Sequence, residues 1–261
     1  MLKKYIGDKK FYKRALALTL PIMIQNAITN FVSMLDNIMV GQVGTVQMTG
    51  VAVSNQLLFV FNLCIFGAVS GAGIFGAQFF GKRDYDGMRH TFRFKVIFCT
   101  VLTVISMLIF IFFGRTLINL YLQGEGNPQD AAASLDYAME YLMIMLVGIL
   151  PYAIVQCYSS TLREAGQTVV PMLAGITAVV VNLILNYILI FGHFGAPALG
   201  AAGAAIATVI SRFVELFIVV IWPLANSENA PYLIGAYKSF YIPKELVSDI
   251  FKKGLPLMIN E

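Results

Sequence analysis

Leu20-Pro21-Ile22-Met23-Ile24-Gln25-Asn26 stands near the start of the chain, and Leu255-Pro256-Leu257-Met258-Ile259-Asn260-Glu261 stands at its end. Four of the seven positions are identical (Leu, Pro, Met, Ile). Both copies follow a basic stretch, and the first opens a long apolar segment. The second reads as the opening turn of another such segment. Repetition at that spacing in an apolar chain is the pattern of duplicated membrane lobes. It predicts an N-terminal lobe over residues 1–225, a linker over 226–253 and the start of a second lobe over 254–261. The chain is therefore expected to be part of a protein nearer twice its length.

The composition sets the same class. Of 261 residues, 58% are hydrophobic and 12% charged, whereas a soluble domain carries about a quarter charged residues. The mean hydropathy is +0.76. There is too little charge to coat a soluble surface, so an all-α integral membrane protein is expected. Cys64, Cys99 and Cys157 lie inside apolar runs with no paired spacing and read as small apolar fillers, not a disulfide framework or a metal site. The basic N-terminus leads into a long apolar run without a small-residue cleavage signal, which reads as a retained first span.

Six segments are long enough to cross a bilayer core, which takes about 20 apolar residues: 15–40, 51–80, 92–113, 136–162, 169–191 and 200–222. Gly41-Gln42-Val43-Gly44 and Gly192-His193-Phe194-Gly195-Ala196-Pro197 read as short turns. Gln123-Gly124-Glu125-Gly126-Asn127-Pro128 reads as a polar loop whose Asn-Pro resists helix continuation. Lysine and arginine then orient the spans, because basic loops stay in the cytoplasm. The N-terminus holds Lys3, Lys4, Lys9, Lys10, Lys13 and Arg14, and the loop after span two holds Lys82, Arg83, Arg89, Arg93 and Lys95. Arg163 and then Lys238, Lys244, Lys252 and Lys253 complete that side. The opposite loops hold only Arg115, and Arg212 lies within a span. The expectation is a multi-pass protein of the plasma membrane with both ends of this chain cytoplasmic. The net charge of +4 is explained by this asymmetry, and no nucleic-acid partner is expected. Residues 243–253 alternate apolar and charged side chains at helical spacing and read as an amphipathic helix on the cytoplasmic surface, linking the lobes.

Polar groups inside spans are costly and by default mark a pathway or a relay. In the first span Gln25, Thr29 and Asp36 share one helical face, with Asn26, Asn30, Ser33 and Asn37 about 100° around. Asp36 is the group there that can ionise, and it can exchange a proton for a substrate or a sodium ion. It also lies within two turns of Gly41, so a plain interfacial hydrogen-bonding role stays open. Asn182 and Asn186, one turn apart, read alone as interhelical glue. Tyr152, Gln156 and Ser159 or Ser160 form a stripe that lines a lumen or packs a helix. Gly67, Gly71, Gly73 and Gly76 read as packing contacts. Arg212 and Glu215, three apart, are expected to pair along their helix. Glu261 is a further ionisable candidate, and the repeat register sets it against Asn26. Enzyme chemistry finds no support: His90 and His193 read as solvated, and no HExxH, GxSxG or phosphate-binding glycine loop is present.

These residues resemble a family. Met34-Leu35-Asp36-Asn37-Ile38-Met39-Val40-Gly41 is similar to the VD-x-x-MVG first-helix signature of the MATE (multidrug and toxic compound extrusion) transporters. Ala77-Gln78-Phe79-Phe80-Gly81 resembles its AQ-x-x-G. Leu162-Arg163-Glu164-Ala165-Gly166 resembles its LR-x-x-G turn, and Asn182 to Gly192 its fifth-helix NxxL[DN]xxxIFG. Gly203 to Ser211 is similar to its sixth helix. The resemblance implies twelve helices in two six-helix lobes that alternate access, here one lobe plus a truncated second. It implies export of cationic or amphipathic small molecules, across the lipid bilayer, in exchange for H+ or Na+, with no other cofactor and no structural metal. By the same resemblance Asp36 is the coupling carboxylate and the place for Na+, with Asn182, Asn186 and Thr208 beside it. Asn186 stands where some members have aspartate, which removes one negative charge from such a site. Gln25, Asn26, Asn30, Ser33, Tyr152, Gln156 and Glu261 are the candidate substrate-cavity residues. Rival readings are a lipid-linked oligosaccharide flippase of the same superfamily, whose members carry more cations in the lumen, and a membrane-embedded enzyme or structural subunit.

Overall fold

The computed structural model describes residues 9–123 and 127–254; Glu261 and the start of the expected second lobe lie outside the described residues. Six helices are long and apolar enough to cross a membrane: α1 (Lys9–Gly41), α2 (Thr45–Gly81), α3 (Tyr85–Leu122), α4 (Pro128–Glu164), α5 (Val169–Phe191) and α6 (Ala201–Ala225). A short helix α7 (Lys244–Asp249) follows and runs into a wide helical turn, Ile250–Gly254. No strand occurs among the described residues.

The helices outrun the apolar segments at several ends, because hydropathy marks the lipid-immersed part of a helix and not its capped ends. Helix α3 starts on Asp84, whose side chain accepts from the Gly87 N–H at 2.9 Å. Helix α4 starts on Asn127, whose side chain accepts from Gln129 N–H at 3.2 Å, with Pro128 in the first turn. Asn-Pro thus begins a helix here: asparagine caps it, and proline in the first turn needs no partner for a missing N–H. Helix α5 ends on Gly192, which has φ 76° and donates to Ile188 O.

Helix α4 is the centre of the bundle, packed on α2, α3 and α6, while α5 joins α6 to α1. Small residues permit the close approaches. A Cβ on Gly50 of α2 would stand 2.7 Å from Ser134 O of α4, and one on Gly203 of α6 2.6 Å from Leu189 O of α5. Ser54 Oγ donates to Ala138 O at 2.8 Å, fastening α2 to α4. Helix α1 rests mainly on α5 and only touches α2 and α6, so a cleft stays open along its polar face.

Three expectations change at the basic end. The α2–α3 turn holds only Lys82 and Arg83, while Arg89, Arg93 and Lys95 stand on α3. Lys95 is buried and pairs with Glu164 of α4, which also accepts from Ser160; Thr161 Oγ1 lies 3.2 Å from the ammonium. The glycines Gly73 and Gly76 of α2 make room for that carboxylate. Arg89 and Arg93 donate to the linker carbonyls of Pro231, Ile234 and Ala236, and His90 lies 3.0 Å from Tyr241 O instead of standing free in water. Burial pushes the Tyr232 hydroxyl above its ordinary range, with its ring edge-on to Phe80. The apolar side of residues 243–253 packs on protein: Leu246 and Ile250 join Ala72, Phe75 and Phe94 of α2 and α3.

Candidate functional site

Asp36 is one turn from the end of α1, and its carboxyl faces α5. Asn186 Nδ2 donates to Asp36 Oδ1 at 2.6 Å, and Asn186 is fully buried behind it. Asn182, one turn earlier on α5, holds one terminus of its amide 3.2 Å from both Asp36 oxygens and the other 3.2 Å from Thr208 Oγ1 of α6. The amides of Asn182 and Asn186 meet at 3.1 Å. Three helices thus converge on one carboxyl group, through residues that in isolation read as packing glue.

With its nitrogen toward Asp36, the Asn182 amide donates to both carboxylate oxygens while its oxygen accepts from Thr208 Oγ1, so a single side chain ties α1 to α6 through α5.

Asp36 lies on the wall of two joined cavities. One, of about 460 Å³, runs toward the basic end, and Gln25, Asn26, Ser33, Tyr152, Gln156, Asn182 and Thr208 line it. The other, of about 340 Å³, opens between α1, α2 and α4 at Asn37, Asn55 and Tyr141. Asn30 lines neither cavity and is exposed, although it sits only about 60° around α1 from Ser33. The Tyr152–Gln156 stripe does not extend to the serines: Ser159 is buried, and Ser160 turns to Glu164.

The sequence reading missed three contributors. Asn55 and Asn62 lie two turns apart on α2 and both reach the cavity, with Asn55 Oδ1 accepting from Tyr141 at 3.2 Å; their i, i+7 spacing was the available signal. Arg163 lines the larger cavity and donates to Gln25 Oε1 at 2.9 Å, where a solvated turn residue was expected. Arg212 and Glu215 do not close into an ion pair. Arg212 instead donates to Gly148 O at 3.3 Å and lies over the Tyr152 ring, 5.0 Å from its centre. Among the described residues no cluster of His, Cys, Asp and Glu is placed to hold a metal ion.

Six helices long and apolar enough to cross a membrane, enclosing a polar cavity with a carboxyl group in its wall, define the class as a polytopic membrane bundle. The chain belongs to the MatE family, whose model matches residues 21–188. It is 29% identical to a probable multidrug resistance protein NorM of Thermotoga maritima, over 100% of this chain and 54% of that protein. To the protein of the same description in Bacillus licheniformis it is 28% identical, over 94% of this chain and 52% of the other. The chain therefore spans about half the length of the curated relatives it matches. The fold is shared with a multidrug resistance MATE transporter of the MOP superfamily in its outward-facing conformation, at TM-score 0.82 and 22% identity over 97% of this chain and 53% of the other. An inward-facing conformation of such a transporter matches at TM-score 0.74 and 22% identity, over 94% and 53%. The family is one of transporters, not enzymes.

Proposed function

We propose that this chain is one six-helix half of a secondary active efflux transporter, which exports cationic or amphipathic small molecules in exchange for protons taken up at Asp36. The carrying observation is the carboxyl group of Asp36 in the cavity wall, held there by the amides of Asn182 and Asn186. The donor set favours a proton over Na+. Asn186 aims an N–H at the carboxylate, where a bound cation needs an oxygen. Relatives named for multidrug resistance support the substrate class, and the two conformations of related structures support alternating access. The charge asymmetry supports a plasma-membrane orientation with the basic end, including the α2–α3 turn and the linker, in the cytoplasm.

Arg163 joins Arg212 at the cavity, yet Asp36 and Glu215 offset both, so the charge balance gives no support to a flippase. The test is drug efflux from cells expressing the full-length gene product. Asp36→Asn keeps the size of the side chain but removes the carboxyl group that gains and loses a proton. Efflux is expected to fall to the level of cells without the transporter. Native efflux from this variant sinks the role of Asp36, and efflux that follows a sodium gradient at fixed pH sinks proton coupling.

A further inference from the structure

Arg212 is placed as a ligand-binding group is placed. Its stem lies in a slot on α4: a Cβ on Gly148 would stand 3.3 Å from Arg212 Cδ, and one turn on, the Tyr152 ring carries the guanidinium on its face. The slot fixes the direction of the head group before anything binds. A guanidinium has five N–H donors in a planar fork. Among the described residues only Nη1 has a hydrogen-bond partner, Gly148 O, and the other nitrogens are neither bonded nor sealed from the cavity. Arg212 lines both cavities and stands at their junction. Among the described residues no carboxylate comes within 4.0 Å of it. Where this protein pairs a buried charge permanently it closes the contact, as Lys95 and Glu164 do. An intramembrane cation left open, oriented and facing a cavity is the complement of an anion that comes and goes.

The neighbours narrow that anion. Glu215 follows Arg212 by three residues and lines the larger cavity without an ion pair, and Asp36 and Arg163 face the same space. Two acids and two bases share the wall. A ligand carrying only a cation meets Arg212, and one carrying only an anion meets Glu215; a ligand carrying both charges close together satisfies both groups.

We propose that Arg212 is a carboxylate-recognition site for zwitterionic amphipathic ligands, with Glu215 receiving the ligand's ammonium and the Tyr152 side of the cavity its apolar body. This rests on reading the cavity as the substrate path. The test is fluorescence titration of the full-length protein in lipid nanodiscs with three probes of one scaffold. Nε-Dansyl-lysine is zwitterionic, dansylcadaverine has the same chain without the carboxylate, and dansyl-6-aminohexanoate lacks the ammonium. The zwitterion is expected to bind about tenfold more tightly than either singly charged probe, the gain of one good charge-assisted contact. Arg212→Gln is expected to remove that preference by weakening Nε-dansyl-lysine about tenfold, while dansylcadaverine, relieved of a like charge, binds at least as tightly as to the native protein. Arg212→Lys, which keeps the charge and loses the fork, is expected to fall between.

Equal native affinity for Nε-dansyl-lysine and dansylcadaverine overturns the proposal without any variant, so a misfolded Arg212→Gln protein does not shelter it. Equal weakening of both probes by Arg212→Gln overturns it in favour of a structural role. Binding of dansylcadaverine with no gain from the carboxylate leaves the efflux reading standing and sinks only this site. Binding of none of the three sinks the cavity as a substrate path, and this site with it.

Discussion

Two sets of charged side chains lie inside the bundle and are treated in opposite ways. Toward the basic end, Lys95 of α3 and Glu164 of α4 close on each other, with Ser160 and Thr161 adding hydrogen bonds and α2 glycines shaped around them. Near the middle, Arg212, Glu215 and Asp36 share a cavity wall without one ion pair among them. The first set sits where α2, α3 and α4 pack tightly. The second faces the gap that α1 leaves by leaning on α5. Burying a charge costs several kcal/mol unless a partner and hydrogen bonds offset it. The closed set is therefore a structural element, whereas the open set keeps its bonding capacity for a ligand or a proton.

The sharpest way to break this contrast is to remove one partner from each set. Lys95→Met strands the Glu164 carboxylate and is expected to cost about 3–5 kcal/mol of stability, read as a lowered thermal unfolding midpoint in detergent. Lys95→Met with Glu164→Leu is expected to recover most of that loss, since well-packed apolar pairs replace buried ion pairs at little cost. A single variant as stable as the native protein removes the argument for a closed pair.

The glycines give a smaller, paired effect. Gly76→Ala drives a methyl group into the Glu164 carboxylate, and disturbing that locked pair is expected to cost about 1–3 kcal/mol. Gly148→Ala presses on the Arg212 stem and Val209 at 3.3 and 3.1 Å. It is expected to cost less than about 1 kcal/mol but to weaken Nε-dansyl-lysine binding, because the slot that aims the guanidinium narrows. Comparing unfolding midpoints with probe affinities for the two variants separates the roles. Smallest of all, Arg212→Gln removes a cation with one long hydrogen bond, and its midpoint is expected to stay within about 1 kcal/mol of native. A loss as large as that of Lys95→Met shows that the two sets are alike.

Much of this was readable along the chain. Span count follows from local hydropathy, because in lipid each backbone polar group needs an internal partner and an apolar run of span length has only the helix to adopt. Asp36 stood out because a carboxyl group in a span is rare. Lys95 misled for a related reason: next to Arg89 and Arg93 it counts as loop charge, and only the reach of α3 past its capped start carries it inside the bundle. Asn30 shares the polar face of α1 but stands at its edge, where it is exposed and lines no cavity. Asn55 and Asn62 were overlooked because α2 shows its polar residues singly among apolar ones.

The sequence by itself determined the class, the six apolar helices, the family signatures and the presence of one ionisable group near the end of the first span. These are properties of composition and of spacing along one helix. The tertiary structure decided which charges close and which stay open, and that Asn182, Asn186 and Thr208 meet at Asp36. Each of those outcomes depends on how helices distant in sequence are rotated and offset against one another. A turn of 100° per residue moves a side chain from a partner to a cavity or to the outer surface without changing the hydropathy of the helix that carries it.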